Sequence, residues 1–186
     1  MELATELIPQ DMETIKEMAE NARGYIDTIF LHWSAGHYGQ VYDDYHITVD
    51  HDGRIYLPNN CDDLTVKRYH TWQRNSRSIG ICVAGCWDAQ ANSGYNMSMG
   101  SEPVTQAQIE ILSILVAVLC KHLGLPISEE TVMTHCEAAF ADGYGPYSGD
   151  EETRWDLWFL PDGNEMKPGG SVIRGKGIWY ANNYSL

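Results

Sequence analysis

The sequence has little positive charge and no long uninterrupted apolar segment. Twelve Lys and Arg residues stand against 26 Asp and Glu residues, which gives a formal net charge of −14. This balance argues against nucleic acid as a partner, because binding phosphate groups needs a basic face. The longest mostly apolar stretch, from Ile109 to Cys120, contains Glu110 and Ser113 and is too short to span a bilayer. We therefore expect neither nucleic-acid binding nor membrane insertion.

The start of the chain lacks the features of a signal peptide. It carries Glu2, Glu6, Asp11 and Glu13, without a basic region followed by an apolar one. We expect a protein that is made in the cytoplasm, so that any action outside the cell depends on release or on delivery by another system.

Cysteine occurs in an odd number, and its spacing is not that of a disulfide framework. We therefore expect reduced thiols. Cys82 and Cys86 can be interpreted as half of a metal site, and the simpler alternative is two small buried residues in or just after a strand. The five cysteines are Cys61, Cys82, Cys86, Cys120 and Cys136.

Apolar patterning predicts one domain of 186 residues, which is long enough to bury a core. Loops are predicted over residues 87–103 and 141–152. The tail from Asp162 onward is predicted to be irregular chain or a terminal hairpin. Because strands alternate with long helices, the fold class expected is α/β, with a central mixed β-sheet and helices packed on both faces. The predicted elements are a helix over 9–22, strands over 25–33, 78–84 and 131–135, a hairpin over 44–57, and a helix from the capping box Thr105-x-x-Gln108 to Gly124.

Two of the seven histidines lie at positions where functional side chains are common. His32 and His135 each close a predicted apolar strand, and functional side chains collect where a rigid strand gives way to a loop. Asp156 lies beside Trp155 and near Trp158, in surroundings where a carboxylate is costly to bury unless it is paired or metal-bound. Two histidines and one carboxylate form a catalytic zinc set with an open fourth position. The long gaps match no short zinc signature, so satisfied core histidines are the alternative.

Seven short motifs occur in an order that resembles a known family. That family is the zinc N-acetylmuramoyl-L-alanine amidases, which include phage endolysin amidases, peptidoglycan-recycling amidases and peptidoglycan recognition proteins. The similarity runs from about Tyr25 to Leu160. The motifs are FLHWS at 30–34, YHITVDHDGRI at 45–55, HT at 70–71 followed by Asn75, SIGICVAG at 78–85, TQAQ at 105–108, THCEA at 134–138 and RWDL at 154–157.

The resemblance implies a Zn²⁺ cofactor with His32, His135 and Asp156 as its ligands. It also implies two catalytic helpers. Tyr45 matches a tyrosine that assists the attacking water. Arg154 matches a position usually held by Lys, and its charge would stabilise the developing oxyanion.

A further group of residues matches the substrate groove. We expect peptidoglycan to contact Trp33, Ser34, His70, Thr71 and Asn75. For the aromatic residues, including Trp72, Trp87 and Tyr38 as further sugar or peptide platforms, a place in the core is the alternative.

The chain also departs from the family pattern. Recycling members carry Glu where this chain has Cys82, so a glutamate base is not expected there and the water-activating role falls to Tyr45. The segment 137–153 is longer and more acidic than the usual family connection. Glu151 or Glu152 is therefore an alternative to Asp156 as third ligand.

The expected function is hydrolysis of the amide bond between N-acetylmuramic acid and L-alanine in peptidoglycan. A non-catalytic peptidoglycan-binding module is the alternative, and a protein that regulates another enzyme is a third class. We expect a monomer with an N-terminal helical segment over 1–24, a catalytic domain over 25–160, and an extension of the same domain over 161–186. A phage lysin or an antibacterial effector fits this organisation.

Overall fold

The computed structural model describes residues 1–5, 7–59, 61–93, 96–145 and 155–186. The strands in chain order are β1 Pro9–Gln10, β2 Thr28–Trp33, β3 Ile47–Val49, β4 Ile55–Tyr56, β5 Ser78–Val83, β6 Gln90–Ser93, β7 Asn96–Ser98, β8 Val132–Thr134, β9 Phe159–Asp162 and β10 Glu165–Pro168. The helices are α1 Met12–Asn21, α2 Gln106–Leu123, α3 His135–Asp142 and α4 Gly169–Asn183.

Six of the strands form the central sheet, in the order β1-β4-β3-β5-β2-β8. Strand β2 runs parallel to both β5 and β8, and β3 runs parallel to β5. Strand β4 pairs antiparallel with β1 and with β3. The sheet is therefore mixed, and the predicted α/β class with a central mixed sheet is confirmed.

Side chains of the sheet alternate between an apolar face and a face that carries polar groups. Ile29, Leu31 and Trp33 of β2 belong to the main apolar cluster, together with residues of α1, α2 and α4. His32 lies on the opposite face, where Cys82 of β5 is its register partner. The central strand thus anchors the core with one set of residues and presents His32 with the other.

The predicted helix after Thr105 is α2, and its capping box is confirmed. The Thr105 hydroxyl accepts from the backbone N–H of Gln108, whose side chain accepts in turn from the backbone N–H of Thr105. Gly124 ends the helix in the left-handed region. By length and composition alone α2 could cross a membrane, but 61% of it is buried in the core. Burial of this kind is usual for the central helix of a folded domain.

Two stretches near the N-terminus and in the polar loop differ from the prediction. Residues 9–10 form an edge strand rather than the first turn of a helix, because the Asp11 carboxylate accepts from Thr14 N–H and starts α1 at Met12. The polar segment predicted as a loop over 87–103 contains the two-stranded sheet of β6 and β7. Both are short antiparallel pairings without a clear apolar alternation.

The C-terminal segment departs most from the prediction. The glycines at 169–170, 175 and 177 predict irregular chain or a terminal hairpin, and both alternatives are wrong for 169–183, which forms α4. A hairpin of β9 and β10 precedes this helix. Four glycines lower the intrinsic helix propensity of this stretch and hide it from a sequence analysis. Packing against α2 stabilises it nevertheless, and Gly177 allows the close approach: a Cβ there would lie 3.3 Å from the carbonyl oxygen of Ser113.

Candidate metal site

The three predicted metal ligands come together at the end of the central strands. His32 Nδ1 lies 3.1 Å from Asp156 Oδ2, and His135 Nδ1 lies 3.3 Å from Asp156 Oδ1. One potential ligand atom of each residue lies within 4.8 Å of the other two, and all three residues are buried. The structure thus gathers two imidazoles and a carboxylate that are far apart in sequence.

The protonation of this cluster suits a cation. Burial lowers the pKa of His32 to about 4, so its imidazole is neutral near pH 7. Burial works to raise the pKa of Asp156, but interactions with His135 and His32 outweigh it and hold that pKa well below its ordinary value. Two imidazole nitrogens and an ionised carboxylate that converge in a buried site form a donor set that fits Zn²⁺.

The position of His135 depends on a helix start that the sequence analysis missed. His135 was predicted to close a strand, whereas it is the first residue of α3. The Thr134 hydroxyl accepts from Glu137 N–H at 3.1 Å, and the Glu137 carboxylate accepts from Thr134 N–H at 2.9 Å. This capping box is visible in the sequence as Thr134-x-x-Glu137 and would have indicated the helix. Since β8 lies beside β2, it brings His135 next to His32.

Tyr45 lies against the cluster of His32, His135 and Asp156 as a neutral phenol. Its ring centroid is 5.1 Å from that of His32, and the residue is buried. Burial and the neighbouring Cys82 raise the pKa of Tyr45 well above its ordinary value. Burial likewise raises the pKa of the Cys82 thiol, so no base replaces the absent glutamate at that position.

The alternative of a Cys82–Cys86 metal half-site finds no support in the described residues. All five cysteines are buried and unpaired, and neither Cys82 nor Cys86 belongs to a potential metal cluster. They are the small buried residues of the simpler interpretation.

The residues predicted to contact substrate have contacts inside the protein. Asn75 Oδ1 accepts from the backbone N–H groups of His70 and Thr71, at 3.0 and 2.7 Å. The Thr71 hydroxyl lies 3.2 Å from His32 Nε2. His70 and Thr71 are both buried, so their predicted contact with substrate stays a prediction.

Trp33 and Ser34 are also built into the interior. Trp33 is buried on the apolar face, with its ring edge-on to Trp155 at a centroid distance of 4.9 Å. The Ser34 hydroxyl donates to the carbonyl of Gly85 and accepts from the N–H of the same residue. These contacts favour the core alternative for Trp33. Glu151, Glu152 and Arg154 lie outside the described residues.

A pair of aromatic residues, the exposed Trp72 and the partly buried Tyr144, lies beside His135. Trp72 is 56% exposed, and its ring meets that of Tyr144 at a centroid distance of 5.2 Å. Tyr144 lies 6.3 Å from His135, centroid to centroid. An ion pair between Arg74 and Asp142, at 2.6 Å, joins the two segments that carry these aromatics. The sequence analysis missed Tyr144, which lies in a Gly- and acid-rich stretch without periodicity.

The fold and the cluster together define an α/β protein with a candidate His₂Asp metal site. A family model described as N-acetylmuramoyl-L-alanine amidase matches residues 14–149, and the chain belongs to this family. The match includes His32 and His135 and ends before Asp156, so the place of the third ligand depends on the tertiary structure.

Similar solved structures include two amidases from Clostridium intestinale URNW and a PGRP. The endolysin amidase LysCS has 17% identity over 73% of this chain and 76% of its own, with a TM-score of 0.42. LysC has 18% identity over 73% and 78%, with a TM-score of 0.43. PGRP-Hd from Alvinella pompejana has 20% identity over 72% and 79%, with a TM-score of 0.40. No curated protein sequence matches the chain.

Proposed function

We propose that the protein is a zinc hydrolase that cleaves the amide bond between N-acetylmuramic acid and L-alanine in bacterial peptidoglycan. Membership of the amidase family supports this reaction. The observation that carries the proposal is the buried carboxylate of Asp156, which lies within 3.3 Å of the Nδ1 atoms of both His32 and His135. A binding module has no need for an ionised carboxylate at that position.

His32, His135 and Asp156 would hold the metal, in a set that leaves a fourth position open. Bound zinc supplies Lewis acidity, which polarises a carbonyl and lowers the pKa of water to about 7. The neutral phenol of Tyr45 keeps its proton beside His32 and can orient or protonate an oxygen there. Arg154 has the charge needed to stabilise an oxyanion, by its match to the family pattern.

The exposed Trp72 and the partly buried Tyr144 are proposed to bind the stem peptide or sugar next to the metal. The Tyr144 ring lies beside that of His135, the Trp72 ring packs against Tyr144, and flat aromatic faces bind amphipathic groups well. Trp72 is exposed and within reach of a substrate, whereas Trp33 is buried.

The proposal is tested by digesting purified peptidoglycan and analysing the products by mass spectrometry. Zinc-loaded protein should release the amino group of L-alanine from its amide bond and leave the glycan strands intact. Asp156→Ala should abolish release, whereas Asp162→Ala, an exposed carboxylate paired with Lys167, should cleave like the wild type. New reducing sugar ends, or peptidoglycan that is bound but not cut, would contradict the proposal and indicate a glycosidase or a recognition protein.

A further inference from the structure

A chain of buried polar side chains extends from His32 away from the metal cluster. His32 Nε2 lies 3.2 Å from the Thr71 hydroxyl, which lies 3.0 Å from His70 Nδ1. His70 Nε2 lies 3.5 Å from the Ser78 hydroxyl, and Ser78 donates to the carbonyl of Arg74 at 2.9 Å. We infer that Thr71, His70 and Ser78 are positioning residues, which form a directional hydrogen-bond relay that sets His32 as a metal ligand. The inference rests on the proposed zinc-dependent function.

The direction of the relay follows from its far end. The carbonyl oxygen of Arg74 can only accept, so the Ser78 hydroxyl donates its hydrogen there. The oxygen of Ser78 is then left to accept from Nε2–H of His70. His70 Nδ1 carries no hydrogen in that tautomer and accepts from the Thr71 hydroxyl.

The near end of the relay fixes the tautomer of His32. Because Thr71 has given its only hydrogen to His70, its oxygen accepts from Nε2–H of His32. Nδ1 of His32 therefore carries a lone pair, and this is the atom that faces Asp156. The opposite direction would place the hydrogen on Nδ1, where it would point at Asp156 and occupy the atom that is to bind the metal, and it would cost the bond from Ser78 to Arg74.

The members of the relay are held in place by their surroundings. Asn75 accepts from the backbone N–H groups of both His70 and Thr71 and fixes their segment. The His70 ring packs on Gly80 so closely that a Cβ there would lie 2.5 Å from His70 Cγ. Thr71 and His70 have only 1% and 6% of their surface exposed, which leaves little for a substrate to touch. This geometry suits support of a ligand better than contact with peptidoglycan.

The support that the relay gives to His32 can be measured as zinc affinity. A metal-binding histidine commonly donates its second ring N–H to a partner that orients it, and loss of that partner typically weakens metal binding by about 10- to 100-fold. A residue that touches only substrate changes the KM and leaves the metal affinity unaltered.

The test compares three threonine variants by competition with a chromogenic zinc chelator. Thr71→Val removes both hydrogen bonds without changing the volume, and it should weaken zinc binding by about 10- to 100-fold. Thr71→Ser keeps the hydroxyl and should restore most of the affinity. Thr48→Val is the matched control, because Thr48 is also buried on this face and its hydroxyl has no hydrogen-bond partner among the described residues. It should bind zinc like the wild type.

Nitrogen-15 NMR of the histidine rings gives a second reading that does not depend on activity. In metal-free protein, the Asp156 carboxylate 3.1 Å away favours a hydrogen on Nδ1 of His32, and the relay opposes it. The Nε2–H tautomer of His32 should therefore be more populated in the wild type than in Ser78→Ala. Ser78 forms its hydrogen bonds with His70 and Arg74 and not with His32. If loss of its hydroxyl had only a local packing effect, the tautomers of His32 would be unchanged. This variant also serves if Thr71→Val folds poorly.

The outcomes separate the relay from the proposed function. If the wild type binds zinc and Thr71→Val binds it equally tightly, or Ser78→Ala leaves the tautomer ratio of His32 unchanged, the relay is wrong and the zinc site stands. If Thr48→Val weakens binding as much as Thr71→Val, the effect is general packing and the relay is likewise wrong. Failure of the wild type to bind zinc overturns both.

Discussion

The ring of His70 lies against Gly80, a residue of β5 whose missing side chain makes room for it. Glycine within an apolar strand generally weakens it, because glycine has no side chain to pack. In the structure, the absence of a side chain at Gly80 makes room for the buried imidazole of His70, which is joined to His32 through Thr71. The requirement for glycine here is one of space and not of backbone conformation.

Gly80→Ala should therefore destabilise the protein. An added Cβ would lie 2.5 Å from His70 Cγ, and overpacking of this kind typically costs about 1–3 kcal/mol of unfolding free energy. Urea denaturation followed by circular dichroism measures the change.

A second glycine provides the opposite case. Gly175 lies on the exposed side of α4, where an added Cβ meets nothing within 4 Å. Gly175→Ala should stabilise the protein by about 0.5–1 kcal/mol, since alanine favours the helix. Equal effects of the two substitutions would contradict this account of Gly80.

At the scale of elements, α4 is joined to the helix that carries His135. Arg174 of α4 forms a two-pronged ion pair with Glu137 of α3, at 2.8 Å for each nitrogen, and also donates to the carbonyl of Val132 in β8. Glu137 in turn caps the first turn of α3. The C-terminal segment thus supports the start of α3, where the proposed metal ligand His135 lies.

Arg174→Met should destabilise the protein and loosen the metal site. It keeps most of the side-chain volume but leaves the partly buried Glu137 without its cation, and we expect a loss of about 1–3 kcal/mol. Thermal denaturation measures the stability, and chelator competition should show weaker zinc binding.

Lys176→Met is the matched control on the same helix. Its ion pair with Glu110 is more exposed, and pairs of that kind contribute about 0–1 kcal/mol. If the two variants have equal stability and equal zinc affinity, α4 does not support the start of α3.

At the scale of the whole molecule, the candidate metal site joins parts of the chain that are distant in sequence. Its ligands come from β2, the start of α3 and the turn before β9. A metal held by all three would cross-link these segments, so folding and metal binding should be coupled.

Zinc should therefore raise the thermal stability of the wild type, and a chelator should lower it. At a free zinc concentration of about 100 times the dissociation constant, the gain in unfolding free energy is about 2.7 kcal/mol. Differential scanning calorimetry with and without zinc gives the measurement.

Asp156→Ala should lose this stabilisation, whereas Asp162→Ala should keep it. Asp162 is an exposed carboxylate whose contact is with Lys167. An unchanged response to zinc in Asp156→Ala would exclude Asp156 as a ligand.

The sequence by itself determined the elements whose signals are local. The apolar run of β2, the capping box of α2 and the glycine that ends it were all readable from residues close together in the chain. Ordered motifs also indicated the family and both histidines. The helix α4 was not readable, because its four glycines oppose helix formation and only packing against α2 offsets their cost.

Only the tertiary structure decided how these residues act on one another. It brought Asp156 between His32 and His135, although a long acidic segment separates this residue from the family motifs before it. It also placed Thr71 and His70 as buried neighbours of His32. Distances between side chains depend on how strands and loops pack, and no local pattern of residues encodes that packing.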